Sequence, residues 1–86
     1  MSKELSGKVV LITGSAKNIG RATALAFAAD GATVAVNTLS SRAEGEAVVK
    51  EIRDAGGQAG LFLADVADAA AVQSMVEDIV RQFGRL

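Results

Sequence analysis

The residues best suited to do chemistry lie early, in Thr13-Gly14-Ser15-Ala16-Lys17-Asn18-Ile19-Gly20. They follow an apolar run, Val9-Val10-Leu11-Ile12, and open a helical pattern. A strand that ends in a glycine-bearing turn and feeds a helix offers backbone N–H groups and the positive end of a helix dipole to an anion. That arrangement seats a nucleotide pyrophosphate. Gly14 lets the backbone turn sharply off the strand, and Gly20 lets the helix pack closely against the sheet. Amides around Asn18 and Ile19 are the expected donors, and Ser15 belongs to the same loop. The plainer alternative is a strand-to-helix turn that happens to hold two glycines. Elsewhere no paired carboxylates and no metal-ligand cluster stand out, so neither a catalytic residue nor a metal site is assigned.

The elements that would position this loop can be read from apolar spacing. A first strand is expected over Lys8 to Thr13, continuous enough in apolar character to be covered on both faces. The helix after the loop, about Ile19 to Ala29, carries Ile19, Ala22, Ala26 and Phe27 at helical spacing and ends at Asp30-Gly31. Thr33 to Asn37 reads as a second strand. Ser41 and Glu44 read as a capping box for a second helix, with Ala43, Ala47, Val48, Ile52 and Ala55 on one face and a Glu46/Lys50 pair on the other. Gly56-Gly57 stops that helix, and Leu61-Phe62-Leu63-Ala64 reads as the third strand. Asp68 can cap a third helix with the stripe Val72, Met75, Val76, Ile79, Val80, Phe83, closed by Gly84. This stripe reads as core against the sheet, with a partner-binding face as the alternative.

Strand and helix thus alternate three times with short connections. Such alternation implies parallel strands and right-handed crossovers. The expected fold is α/β with three layers: strands in the order 3-2-1, two helices on one face and the third helix on the other.

Composition sets outer bounds. The 86 residues are 50% hydrophobic, with nine Lys and Arg against ten Asp and Glu, a net charge of −1. This balance supplies no field that would draw the chain onto nucleic acid or an anionic membrane. There is no cysteine for a disulfide or thiolate metal site, as befits a reducing cytoplasm. The start, Met-Ser-Lys-Glu-Leu-Ser-Gly-Lys, shows no apolar signal region, and no stretch approaches membrane-spanning length. The expectation is one cytoplasmic domain over residues 1–86.

Thr-Gly-x-x-x-Gly-x-Gly after a first strand is the signature of the short-chain dehydrogenases/reductases, and Thr13 to Gly20 resembles it at all but one place. The family's middle glycine is Asn18 here, the side-chain-bearing type that best tolerates positive φ. Gly31-Ala32-Thr33-Val34, Asp65-Val66 and Phe83-Gly84-Arg85-Leu86 resemble further family segments. The resemblance covers essentially the whole chain but only the amino-terminal portion of a member, a truncated Rossmann domain similar to that of 3-oxoacyl-acyl-carrier-protein reductases. It implies that Asp65 accepts from the exocyclic amine of adenine, with Ala64 and Val66 lining that pocket; the plainer role for Asp65 is to cap a turn. It also implies that cofactor choice is set at the end of the second strand, where NAD-using members carry an acidic residue. Here that position is Thr38, while Lys17 and Arg42 stand close by as cations. Two cations and no anion favour NADP(H) over NAD(H), by Coulomb attraction to a 2′-phosphate; ordinary solvated surface is the alternative for both. Ala16 departs from the pattern, since a hydroxyl often assists phosphate binding there.

The family's Asn-Asn-Ala-Gly segment, catalytic Ser and Tyr-x-x-x-Lys pair have no counterpart here, and the sequence contains no Tyr and no His at all. The resemblance therefore implies a cofactor-binding portion without its own catalytic residues. A first strand left at the sheet's edge is expected to pair with a second copy, giving a homodimer with antiparallel first strands. A second class of function stays open: a non-catalytic dimeric nucleotide-binding or scaffold module that accepts another adenine-bearing cofactor such as FAD.

Overall fold

A computed structural model describes residues 4–86. The first three residues of the expected start, and that part of the single-domain assignment, lie outside the described residues. Elements alternate as β1 (Val9–Ile12), α1 (Asn18–Ala29), β2 (Thr33–Thr38), α2 (Arg42–Asp54), β3 (Ala59–Leu63) and α3 (Ala69–Phe83). The strands form one sheet in the order β1-β2-β3, which is the expected 3-2-1 succession. Both pairings are parallel, with Val10 opposite Val34 and Val36 opposite Leu61.

Because successive strand side chains alternate in direction, the sheet builds two separate cores. Val34 and Val36 face α1 and α2, where Ala24, Val48, Val49, Ile52 and Ala59 are buried with them. Ala35 and Phe62 face the other way, against Met75 and Ile79 of α3. The two-plus-one placement of helices is thus found, and the α3 stripe is mostly core: Met75 and Ile79 are buried, while Val80 at its margin is exposed. Phe62 and Phe83 close that layer edge-to-face, with ring centroids 6.2 Å apart.

Element limits differ from the sequence reading in ways that have local causes. β1 ends at Ile12 rather than Thr13, because Gly14 takes a left-handed φ of +62° and turns the chain away. β2 runs one residue further, to Thr38, because its pairing with Leu63 continues to that point. β3 begins two residues earlier, at Ala59, and ends at Leu63, since its parallel register is set by Val34 opposite Ala59. At the start of this strand the Arg53 guanidinium donates twice to Ala59 O, at 3.1 and 2.7 Å.

Two helix faces are corrected. On α1 the wholly buried residue is Ala24, with Leu25, Phe27 and Ala28 against the core, whereas Ile19, Ala22 and Ala26 are exposed. Ile19 sits in the first turn, beyond the end of the sheet. On α2 the buried face is Gly45, Val48, Val49 and Ile52, and Ala43, Ala47 and Ala55 are exposed. Gly45 sets that rotation: a Cβ there would lie 2.6 Å from Leu61 Cδ1, so the helix approaches β3 at this residue.

The α2 capping box and the Glu46/Lys50 pair do not form. Ser41 makes no side-chain cap, and its N–H donates to Thr38 Oγ1 at 3.2 Å. The Glu44 carboxylate turns toward Lys17, 3.8 Å away. Glu46 pairs back to Arg42 and Lys50 forward to Asp54, so the i,i+4 ladder runs in the other frame. Contact with Asp54 raises the Lys50 pKa above its ordinary value, by hydrogen bonding first and charge second. At α3 the expected cap is present: Asp68 Oδ1 accepts from Ala70 N at 3.0 Å and Ala71 N at 3.2 Å. Gly84 ends the helix at φ +86°.

Candidate nucleotide site at the carboxyl edge of the sheet

Three loops leave the carboxyl ends of three adjacent parallel strands, and they bring the expected residues to one edge of the sheet. The loop after β1 is sewn to the end of β2. Ser15 N donates to Asn37 O at 2.8 Å, Gly14 N donates to Asn37 Oδ1 at 3.2 Å, and Asn37 N donates to Ser15 Oγ at 3.0 Å. Ser15 is fully buried and its hydroxyl donates to Ile12 O at 2.7 Å. Its side chain is thus spent inside the protein, holding the loop to β1 and β2. Ala16 is likewise buried.

Asn18 adopts φ +57°, the one positive-φ residue besides glycine among the described residues. The backbone thus keeps a left-handed turn where the family pattern has glycine, as an asparagine permits. Gly20 is required more strictly. A Cβ there would lie 2.2 Å from Gly14 O and 2.9 Å from Ser15 Cα. The close approach is therefore between the first turn of α1 and the loop itself, not the sheet as expected from the sequence. Arg21 N reaches Lys17 O at 3.1 Å, which leaves the amides before it among those that every helix amino terminus leaves open. Lys17 makes no side-chain cap, and the first turn of α1 holds no acidic residue. The loop therefore offers unneutralised donors, in a backbone held too tightly for a side chain at Gly20.

The residues assigned to cofactor choice gather beside this loop. Thr38 is buried at the end of β2, turned toward α2. Lys17 and Arg42 are more than half exposed, but each has an anion: Glu44 for Lys17 and Glu46 for Arg42, the latter at 3.5 Å. The expectation of two cations and no anion is corrected accordingly. The error lay in reading strand ends alone; the first turns of α2 carry carboxylates that the fold swings back to the same place.

Asp65 follows β3 in an exposed turn. Its Oδ1 accepts from Ala67 N at 2.9 Å, and its carbonyl accepts from Asp68 N at 2.9 Å. The turn-capping role is thus observed for one carboxylate oxygen of this exposed residue. Val66 beside it is 53% exposed. Sequence reasoning missed two residues at this edge. Leu39 is 63% exposed immediately beyond β2, and its place directly after a strand was the available signal. Asn37 joins the loop after β1 to the end of β3, and the signal for it was a polar residue in an otherwise apolar buried strand.

Among the described residues no group of three or more metal-ligating side chains occurs, and no helix is long and apolar enough to cross a membrane.

Comparison with known proteins agrees with this geometry. Residues 8–86 match the model of the short chain dehydrogenase family. The chain is 52% identical over its whole length to an uncharacterized oxidoreductase of Methylorubrum extorquens, covering 34% of that protein. It is 44% identical over 79 residues, 92% of its length, to the 3-oxoacyl-[acyl-carrier-protein] reductase FabG of Staphylococcus aureus, covering 32% of it. Among solved structures, a dehydrogenase/reductase from Sinorhizobium meliloti superposes with a TM-score of 0.92 at 37% identity, over 96% of this chain and 33% of that one. A short chain dehydrogenase from Burkholderia cenocepacia in complex with NADP superposes with a TM-score of 0.88 at 41% identity, over 93% of this chain and 33% of that one. The chain spans about a third of the length of the curated relatives it matches. With its Rossmann-type strand order and its glycine loop in place, the chain belongs to the short-chain dehydrogenase family.

Proposed function

We propose that this chain binds NADP(H), in preference to NAD(H), as the cofactor-holding portion of an oxidoreductase. The observation that carries the reading is the Gly14–Gly20 turn: open α1 amides, no acidic residue in the first turn, and no room for a side chain at Gly20. A pyrophosphate at the positive end of α1 fits these donors. The free oxygen of Asp65 would accept from the adenine amine, with Val66 and Leu39 as apolar surface beside it. Thr38 in place of a carboxylate, together with Lys17 and Arg42, would admit a 2′-phosphate. Exposed pairs such as Lys17–Glu44 are worth only about 0–1 kcal/mol, so a phosphate dianion can draw both cations away from their glutamates. When bound, the nicotinamide supplies the hydride; this chain's residues bind and orient the adenosine and pyrophosphate.

The carbonyl reduced would be of the 3-oxoacyl kind, by analogy with the reductase relative. No Tyr is present to move the substrate's proton, so we assign none of these 86 residues a catalytic role. We place the chain in the cytoplasm, on its charge balance and lack of cysteine. We also propose that it forms a homodimer through the outer edge of β1, which has no strand beside it among the described residues.

The test of the main reading is a pair of calorimetric titrations of the 86-residue chain, with NADPH and with NADH, at low salt. Saturable binding that favours NADPH is expected. Heat from neither ligand would leave a family fold without a working site. Sedimentation at about ten micromolar, an ordinary range for weak dimers, checks the association; a single monomeric species would end the dimer proposal.

A further inference from the structure

We propose that Asn37 is a positioning residue of the nucleotide site, the side chain that locks the phosphate loop to the adenine side of the sheet. The inference rests on the nucleotide-binding reading above and adds to it the means by which the loop is held. Asn37 is 2% exposed, and a buried amide is costly unless its groups are bonded. Its Oδ1 accepts from Gly14 N at 3.2 Å. Its Nδ2 faces Phe62 O at 3.2 Å, Ala64 O at 3.3 Å and Met75 Sδ at 3.4 Å. The partner on the oxygen side is a donor, and those on the nitrogen side are acceptors, so only one amide orientation fits.

One side chain therefore spans the width of the site. On one side it holds the N–H of Gly14, the left-handed residue on which the loop turns. On the other it holds the carbonyl of Ala64, the residue before Asp65. Behind both stands Met75 of α3, so the opposite layer of the domain also bears on the loop. The main chain of Asn37 adds its two bonds to Ser15. Leucine, of similar size, would leave Gly14 N–H and two carbonyls without these partners. Aspartate would keep the acceptor but set a negative oxygen against Phe62 O and Ala64 O.

Acting through the loop, Asn37 controls contacts that every ligand with an adenosine diphosphate group shares. Its loss should weaken all of them alike and leave the 2′-phosphate preference untouched. The experiment compares ADP, NADH and NADPH binding to the wild-type chain and to Asn37→Leu by calorimetry, with folding of the variant checked by circular dichroism. The same factor of about tenfold is expected for the three ligands, what a net hydrogen bond of about 1.4 kcal/mol amounts to. In the wild-type chain, the Asn37 side-chain amide and the Ala67 N–H should both shift in nitrogen NMR spectra as ADP saturates. Wild-type affinities in a folded Asn37→Leu, or a loss confined to NADPH, would overturn the proposal. If the variant does not fold, an Asn37 amide signal unmoved at ADP saturation would overturn it instead. A wild-type chain that binds none of the three removes the nucleotide reading itself, and the role of Asn37 with it. That result is distinct from unchanged affinity in the variant, which removes Asn37 alone.

Discussion

At the start of α3 the Asp68 carboxylate accepts from two backbone amides, whereas at the start of α1 Lys17 makes no capping bond and no acid stands in the first turn. Both capping residues have extended backbone, φ −102° at Asp68 and −142° at Lys17, but α1 then opens through the left-handed Asn18 at φ +57°, and the two ends carry opposite chemistry. α3 is complete in itself and serves as a wall of the core. α1 is left with open donors and a cation where a helix would ordinarily place an acceptor. That difference separates a helix end that folds the domain from the one to which we assign an anion.

The contrast is broken most severely by Gly20→Ala. A Cβ placed against Gly14 O has only backbone to displace, and overpacking of this kind costs about 3 kcal/mol. Urea denaturation should register that loss, and nucleotide binding should vanish with it. Lys17→Asp sets an acid at the start of α1 as at the start of α3. Stability should stay within about 1 kcal/mol of wild type, because any capping gain is offset by loss of the Glu44 pair, while NADPH should weaken more than tenfold in a calorimetric titration. A variant undiminished in binding would mean that the ligand does not use this helix end. Asp68→Ala opens α3 in turn. About 1 kcal/mol of stability should go, with nucleotide affinities unchanged. The finest adjustment is Glu44→Gln, which frees Lys17 without moving it; NADPH should bind a few-fold tighter and NADH as before, read from the ratio of the two dissociation constants.

How far the sequence revealed this arrangement follows from what each signal depends on. The strands were legible because Val9 to Ile12 and the Val34/Val36 pair are apolar in runs that no helix of that length would need. The α3 stripe was legible because large side chains at Val72, Met75, Ile79 and Phe83 contrast with polar residues between them. α1 and α2 were misread at their faces for the opposite reason. Alanine occurs on both sides of each helix, so it marks no direction. The residue that sets the rotation of α2 is Gly45, which carries no hydrophobic signal and is recognised only through its approach to Leu61. At the site, Gly14, Gly20 and Asp65 were legible from spacing after strands. The Glu44 carboxylate beside Lys17 and the bridging amide of Asn37 were not, because the first acts between separate elements and the second across 23 to 38 residues of chain, and only the fold sets these groups side by side.

The guanidinium of Arg53 over Ala59 O has a consequence for how the sheet can grow. Gln58 O and Ala64 N are turned inward to β2, so the groups of Ala59, Leu61 and Leu63 point out along the free margin of β3. An incoming strand must bond to that row in sequence, and its first carbonyl is already taken by a bulky cation anchored on α2. A strand added at this margin must first displace the Arg53 guanidinium from Ala59 O. Among the described residues no side chain blocks the backbone of Val9 or Leu11 in this way. Both outer strands thus start beside a guanidinium bonded to a main-chain carbonyl: Arg53 at Ala59 for β3, and Arg85 at Gly7, 3.2 Å away, just before β1.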